Sequence, residues 1–477
     1  MTNADELLAW FRTYAERRLN SRLADERRTI PPYVVLDLGN QGFLGLQAPE
    51  AVGGLALPTT ELVRVLEQVS AVDMTLALLL GVHNGLGIRP IQQYGQPALQ
   101  ARLLPRLATG RELAAFALTE PGAGSHPLAM QATARRVEGG WRVDAHKHWI
   151  GLGSWAGVVT VVAKTVDPPG VVALAVLADN PGLVQGPEAL TMGVRGLVQN
   201  TVYLRDAFVP DEAVLGRPGG GLAVAQDAMM VSRLGIAAVA LGGLKRCAQL
   251  MARYATRRMV GTGRLLDNAV TRAILEDTVG AIAAGEALVR WTARLADGPD
   301  PVPQELYLAC KIALPELLGR AVDGLTQLLG GRGYVEANGV PQLLRDARLL
   351  RVFEGPTETL LVHLGTLANG RPKGCRALLP ADLAEEALGA CVVGDDLVWS
   401  DFRAGQVMVA ALLLAAGGPA SWARQNFDRA CRPIAAPVLP VEALCATIDG
   451  YKDAIGDVEQ TLPGEDSLRD PLLRRDP

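Results

Sequence analysis

The order of periodicities along these 477 residues predicts an α+β fold, with an N-terminal helical domain, a middle domain on a small β-sheet, a C-terminal helical bundle and a helical extension. Three observations carry this. Apolar residues recur every three and four positions up to about residue 110. From 114 to 215 they gather in short β-rich runs split by Gly, Pro and Asn. After Pro218-Gly219-Gly220-Gly221 the helical period returns.

In the first domain, 1–112, Leu62, Val65, Leu66 and Val69 form one helical stripe, and Leu99, Leu103, Leu104 and Leu107 form another that Gly110 ends. In the second, 113–217, the runs GWRVDAHKHWI, GVVTVVAKT, VVALAVLAD and NTVYLRDAFV read as strands of an antiparallel sheet. In the third, 218–370, helices are expected over 222–258, 270–297, 303–330 and 357–369. The fourth, 371–477, starts in a linker, GRPKGCRALLP. Apolar helical stretches follow at 382–392 and 402–416, broken by Gly417-Gly418-Pro419 and RPIAAPVLP. This extension is expected to pack on the bundle or at a dimer interface, and its tail, EDSLRDPLLRRDP, to fray.

Forty-six basic against fifty acidic side chains leave a net charge of -4, and no basic run stands out, which argues against nucleic acid as a partner. Six widely spaced cysteines, with no CxxC among them, read as buried apolar residues of a reducing compartment. The first thirty residues mix Asp and Glu with Arg and hold no signal-type apolar stretch. The run VMVAALLLAA is about half of the ~20 residues that a spanning helix needs. The expectation is a cytoplasmic protein without a membrane segment.

The most informative stretch is AFALTEPGAGS at 115–125, followed by HKHWIG at 146–151. Thr119 and Ser125 offer hydroxyls, Pro121 fixes a dihedral, and Gly122 and Gly124 permit positive φ. Several N–H groups can therefore converge on one acceptor-rich ligand, with Trp149 as a flat wall. A Walker-type phosphate loop needs Lys and then Ser or Thr after its last Gly, and this turn has neither. A different planar, anionic cofactor is indicated.

GVRG at 193–196, YLRDAFVPDEAVLG at 203–216, QLLGGRGY at 327–334 and LLRDARLLRVFEGPTE at 343–358 follow in order. With the two earlier motifs, they make the chain resemble the acyl-CoA dehydrogenase family over roughly residues 35–370. The resemblance implies that family's fold, FAD as cofactor and an acyl thioester as substrate. It also implies electron-transfer flavoprotein as acceptor, and a homodimer or homotetramer with FAD shared across an interface. Carried over, Phe116, Leu118, Thr119, Gly124, Ser125, Trp149 and Gly151 belong to the flavin side, and Ser125 also to the substrate side. Arg258, with Arg257 as competitor, matches the arginine that reaches the pyrophosphate of the neighbouring subunit's FAD. Gln327, Gly330 and Gly331 match the segment receiving the adenine half, and Glu358 joins the cofactor set. Arg233 matches an arginine behind the catalytic glutamate and Gly355 a substrate-side position.

Glu354 is the candidate base. Val352 and Phe353 before it predict an apolar setting, Gly355 ends the regular run, and desolvation there would raise its pKa and strengthen it as a base. An α-proton beside a thioester is only weakly acidic. Its removal needs a positioned base, donors on the carbonyl oxygen and an acceptor for the hydride leaving the β-carbon. In the family the glutamate of this motif is that base, the flavin takes the hydride, and the glutamate's own N–H with a ribityl hydroxyl holds the carbonyl.

Some positions depart from the pattern. Gly151 stands where the family often has a threonine bonding the flavin's reactive nitrogen. Gly261-Thr262 replaces Phe-Gly, Ala269 a glutamine, Pro356 a threonine, and Met230 an acidic contact to the pantetheine arm. These weaken the expected grip on FAD and leave three other readings open: a carrier-protein-tethered acyl or aminoacyl substrate, oxidase or hydroxylase chemistry, and a non-catalytic acyl- or partner-binding relative. His146 and His148 share a strand face without a third ligand nearby, so solvated strand residues are expected rather than a metal site. His83, beside Asn84, is expected to be a hydrogen-bonded residue at a helix end.

Overall fold

The computed structural model describes residues 3–391 and 393–456; the tail EDSLRDPLLRRDP lies outside them. Helices α1 (Asn3–Arg18), α2 (Ser21–Glu26), α3 (Pro32–Asn40), α4 (Thr59–Val72), α5 (Met74–Gly81), α6 (Arg89–Tyr94) and α7 (Pro97–Ala108) build the N-terminal part. The two apolar stripes are the buried faces of α4 and α7. Between α5 and α6 the backbone widens into a π-helix, Val82–Ile88. His83 within it is a neutral brace rather than a helix-end residue. Its Nε2 donates to Leu107 O at 3.1 Å, its Nδ1 accepts from Ala114 N at 3.1 Å, and burial lowers its pKa to about 4.

The middle part holds β1 (Leu113–Ala117), β2 (Thr133–Val137), β3 (Gly140–Gly151), β4 (Ala156–Thr165), β5 (Gly170–Leu177), β6 (Leu183–Glu188), β7 (Gln199–Pro210) and β8 (Val214–Leu215). They run in the order β6-β7-β3-β2-β4-β5-β8, with β1 also on β4. The sheet is mixed, not antiparallel throughout. β1 pairs with Ala156–Val161 of β4 and β2 with Lys164 and Thr165 of β4, both parallel. The physical reason is that β1 and β2 share one edge of β4 and run the same way, so the TEPGAGS turn is an excursion between two segments of a single edge. β4 and β5 are buried almost throughout and pack against the long helix that follows, which explains their continuous rather than alternating apolar runs.

That helix is α8 (Gly221–Ala255), followed by α9 (Ala269–Ala296), α10 (Gln304–Leu329), α11 (Gly331–Tyr334), α12 (Gly339–Leu350) and α13 (Thr357–Gly370). α8 is the hub, packing on α4, α9 and α10. The chain continues through α14 (Pro372–Ala377), α15 (Ala381–Ala390), α16 (Leu397–Ala415) and α17 (Ala420–Ala430). α8 and α16 are long and apolar enough to cross a membrane, but 72% and 56% of their apolar windows are buried inside the protein.

Residues up to Cys431 form one compact unit, and a second begins at Arg432. α16 lies on α13 at backbone contact. A Cβ at Gly365 would sit 1.7 Å from Asp401 O, and one at Gly405 would sit 2.1 Å from Leu361 O. α17 lies on α9, where Trp422 Nε1 donates to Asp277 Oδ1 at 2.8 Å. The second unit contains α18 (Val441–Asp449) and α19 (Lys452–Ile455). Among the cysteines, Cys247, Cys310 and Cys375 are buried, Cys391 and Cys431 half-buried and Cys445 exposed. Cys445 departs from the expected burial because α18 buries none of its residues.

Candidate active site

α12 ends at Leu350 and α13 begins at Thr357, with Pro356 at its N-cap. In the turn between them Glu354 has φ 57° and Gly355 φ 101°. Glycine adopts this conformation freely. A glutamate there costs about 1–3 kcal/mol, so its surroundings must hold it. They do so through two cations: Arg233 Nε donates to Glu354 O at 3.2 Å and Lys311 Nζ to Gly355 O at 2.6 Å. The carboxylate Oε2 of Glu354 is enclosed and has no hydrogen-bond partner. Burial pushes this carboxyl up to about 7, against the pull of Arg233 and Lys311. A buried, unpaired oxygen whose pKa sits near neutrality suits a proton acceptor.

Phe353 helps line a narrow apolar cleft between α4, the π-helix and α8. Leu62, Leu66, Val82, Ile236 and Val239 supply its walls. Gly81 and Gly85 also line it, and a Cβ on either would meet nothing within 4 Å.

The residues expected on the flavin side lie on a separate wall. Lys147 Nζ sits 2.7 Å from Glu120 Oε1 and donates to Leu118 O at 3.0 Å. The Glu120 carboxylate also accepts from Gln131 N at 2.5 Å and Ala132 N at 3.0 Å, closing the turn at its base. His148 N donates to Thr119 O at 2.9 Å. β3 departs from regular pairing with β7 between Lys147 and Ile150, where Trp149 has φ 55°. This turns its indole outward, 57% exposed, edge-on to His148. Gly122 and Gly124 are not among the positive-φ residues. Both stand beside open space, since a Cβ on either would meet nothing within 4 Å. Phe116, Leu118 and Thr119 are half-buried and Ser125 is exposed.

Gly151 joins the two walls. A Cβ there would lie 3.6 Å from Gln199 Nε2 and 3.7 Å from Val82 Cγ1, and Val82 lines the cleft. Gly151 and Gln199 are cross-strand partners, so the Gln199 carboxamide stands in the space that a longer residue 151 would use. An exposed indole and an open turn with two hydroxyls fit a flat flavin with an anionic tail, and the orphaned carboxylate oxygen of Glu354 fits a proton acceptor. FAD suits these residues.

Other expected positions are placed elsewhere. Arg258 lies in an exposed hairpin with Met259, and Gln327, Gly330 and Gly331 are exposed where α10 ends. No hydrogen bond or ion pair among the described residues joins them to the turn or to Trp149. Glu358 is exposed on the first turn of α13. His146 stacks on Tyr203 with centroids 4.7 Å apart, and no metal-binding group of His, Cys, Asp or Glu occurs among the described residues. Sequence reasoning passed over Glu120, Lys147, Gln199 and Lys311. The signal for Lys311 was a lone cation in the apolar run LYLACKIAL, which no solvated helix face explains.

Three family models match in series: acyl-CoA dehydrogenase N-terminal domain over 2–111, middle domain over 115–207 and C-terminal domain over 219–367. The human mitochondrial short-chain specific acyl-CoA dehydrogenase is 29% identical over 358 residues, covering 74% of this chain and 86% of that protein. A probable acyl-CoA dehydrogenase of Bacillus subtilis is 32% identical over 340 residues, covering 67% of this chain and 57% of that one. Among solved structures, a Mycobacterium smegmatis glutaryl-CoA dehydrogenase in complex with FADH2 aligns with TM-score 0.73 at 26% identity, covering 78% of this chain and 95% of that chain. An acyl-CoA dehydrogenase of Bacillus anthracis complexed with FAD, at TM-score 0.73 and 23% identity, covers 93% of this chain and 86% of its own. Its fold thus extends into residues beyond the three matched domains.

Proposed function

The chain belongs to the acyl-CoA dehydrogenase family, an FAD-dependent oxidoreductase family acting on CH–CH bonds, and from that premise we propose that it oxidises an acyl thioester to the 2,3-enoyl thioester with Glu354 as the base. The observation that carries this reading is the Glu354 carboxylate, with Oε2 enclosed and unpartnered beside the apolar cleft. The acyl chain lies in the cleft between Leu62, Leu66, Val82 and Val239, which excludes water from the α-carbon. Glu354 in its ionised form takes the α-proton. The left-handed turn supports the carboxylate, and Trp149 with the TEPGAGS turn positions the cofactor on the opposite side. FAD, when bound, supplies the acceptor for the hydride from the β-carbon.

The exposed hairpin of Arg258 and the exposed end of α10 at Gln327, Gly330 and Gly331 support a further part of the reading. They hold the outer half of an FAD belonging to a second copy, so the working protein is a homo-oligomer. Electron-transfer flavoprotein is the acceptor that fits the family, and the thioester is on coenzyme A.

The test is direct. Purified protein should be yellow, elute as a dimer or tetramer, and bleach anaerobically when acyl-CoA is added. Glu354→Gln should keep the colour and lose the bleaching. Turnover retained by that variant would overturn the assignment of the base, and colourless protein that cannot be loaded with FAD would overturn the whole reading.

A further inference from the structure

We propose that Lys311 is a positioning residue for the base: from α10 it holds the Gly355 carbonyl while Arg233, from α8, holds that of Glu354. This rests on the dehydrogenase reading above.

The geometry is specific. Two consecutive residues with left-handed backbone each present a carbonyl to a different buried cation, Arg233 Nε to Glu354 O at 3.2 Å and Lys311 Nζ to Gly355 O at 2.6 Å. Lys311 is wholly buried, between Cys310 and Ile312 on a helix whose neighbouring positions are apolar. A methionine would fill that position at no cost in desolvation. A lysine sealed from water is costly unless its charge is used. The hydrogen bond fixes the carbonyl that follows the base, and so fixes the turn that aims the carboxylate.

The charged groups around Lys311 are Glu354 from the turn, Arg233 from α8, Glu316 on its own helix and Glu358 on α13. Glu316 is engaged by Arg351 Nε at 2.7 Å and Thr357 Oγ1 at 2.8 Å, and Glu358 is exposed. Among these carboxylates Glu354 acts most strongly on Lys311, and Lys311 in turn favours the ionised form of Glu354. Burial lowers Lys311 to about 7 and raises Glu354 to about 7, so the two protonation states depend on each other.

The experiment compares wild type, Lys311→Met and Lys311→Gln, each loaded with FAD, for FAD content, binding of a non-reacting acyl thioester analogue and the pH profile of kcat/KM. Methionine removes both hydrogen bond and charge, whereas glutamine restores a donor without charge. Lys311→Met should keep FAD content and analogue binding within about threefold, lose at least tenfold in kcat, and shift the acid limb to higher pH by roughly one unit, the sign expected when a carboxylate loses a nearby cation. Lys311→Gln should recover part of kcat and keep the shifted limb. If the methionine variant does not fold, the glutamine variant alone decides through its pH profile. Wild-type kcat with an unmoved acid limb in a folded variant would overturn the proposal. Wild type that never reacts with any acyl thioester would instead overturn the function assigned above.

Discussion

Lys147 and Glu120 form an ion pair of 2.7 Å in which the lysine side chain has no exposed surface and the glutamate side chain is 5% exposed. The pair joins β3 to the base of the TEPGAGS turn, so this turn depends on a contact with no access to water. Lys147→Met would leave Glu120 buried with only two backbone donors. Breaking one side of such a pair costs about 3–5 kcal/mol. The expected outcome is a lower Tm and faster loss of FAD. The double variant Lys147→Met/Glu120→Gln should recover much of the loss, since no unpaired charge then remains; thermal denaturation and retained flavin absorbance check both.

Glu354 should destabilise the fold at neutral pH. Its folded pKa, about 7, lies above the ordinary value of 4.5, so between these limits the native state holds a proton that the unfolded chain releases. The contribution of this group therefore weakens as pH rises from about 4.5 to about 7 and stays unfavourable above that. Glu354→Gln removes it, with a gain on the order of 1–3 kcal/mol above pH 7 that vanishes below about pH 4.5. Tm measured for both proteins across this range tests the sign. The same ionisation should give wild-type kcat/KM an acid limb near pH 7.

Gly85 faces open space in the cleft wall. Gly85→Val should therefore fold normally and fill the space an acyl chain would take. The expected result is a tenfold or larger fall in kcat/KM for long acyl thioesters with a smaller effect on four-carbon ones, a difference worth about 1–3 kcal/mol. Equal losses for both chain lengths would place the chain elsewhere.

Gly280 lies under Trp422, whose Cγ would be 2.4 Å from an added Cβ. Gly280→Ala should displace the indole and break its bond to Asp277, at a cost of about 1–3 kcal/mol. Limited proteolysis should then cut earlier within 416–431, with FAD content unchanged.

The helical stripes and the β-rich middle were legible because each depends on local pattern: periods of three and four, and Gly and Pro punctuation; a carboxylate before a glycine is no such signal, and Glu354 stood out only through the ordered motifs that carry the family resemblance. The mixed sheet was not, because whether β1 and β2 run parallel to β4 is settled by the path of the chain between them and leaves no mark in composition. Nor was the π-helix, since a single widened turn keeps the apolar content of an α-helix. Gln199 and Lys311 were hidden for a related reason. Each acts on a residue far away in sequence, Gln199 opposite Gly151 and Lys311 against Gly355, and nothing local to either names its partner.

The backbone contact of α16 with α13, through Gly365 and Gly405, has a practical outcome for anyone trimming the gene. α13 begins three residues after Glu354, so the segment beyond residue 370 is ballast for the helix that the base hangs from. Cutting the protein back at that point would bare solvent-averse surface on α13 and loosen, from behind, the turn that carries Glu354.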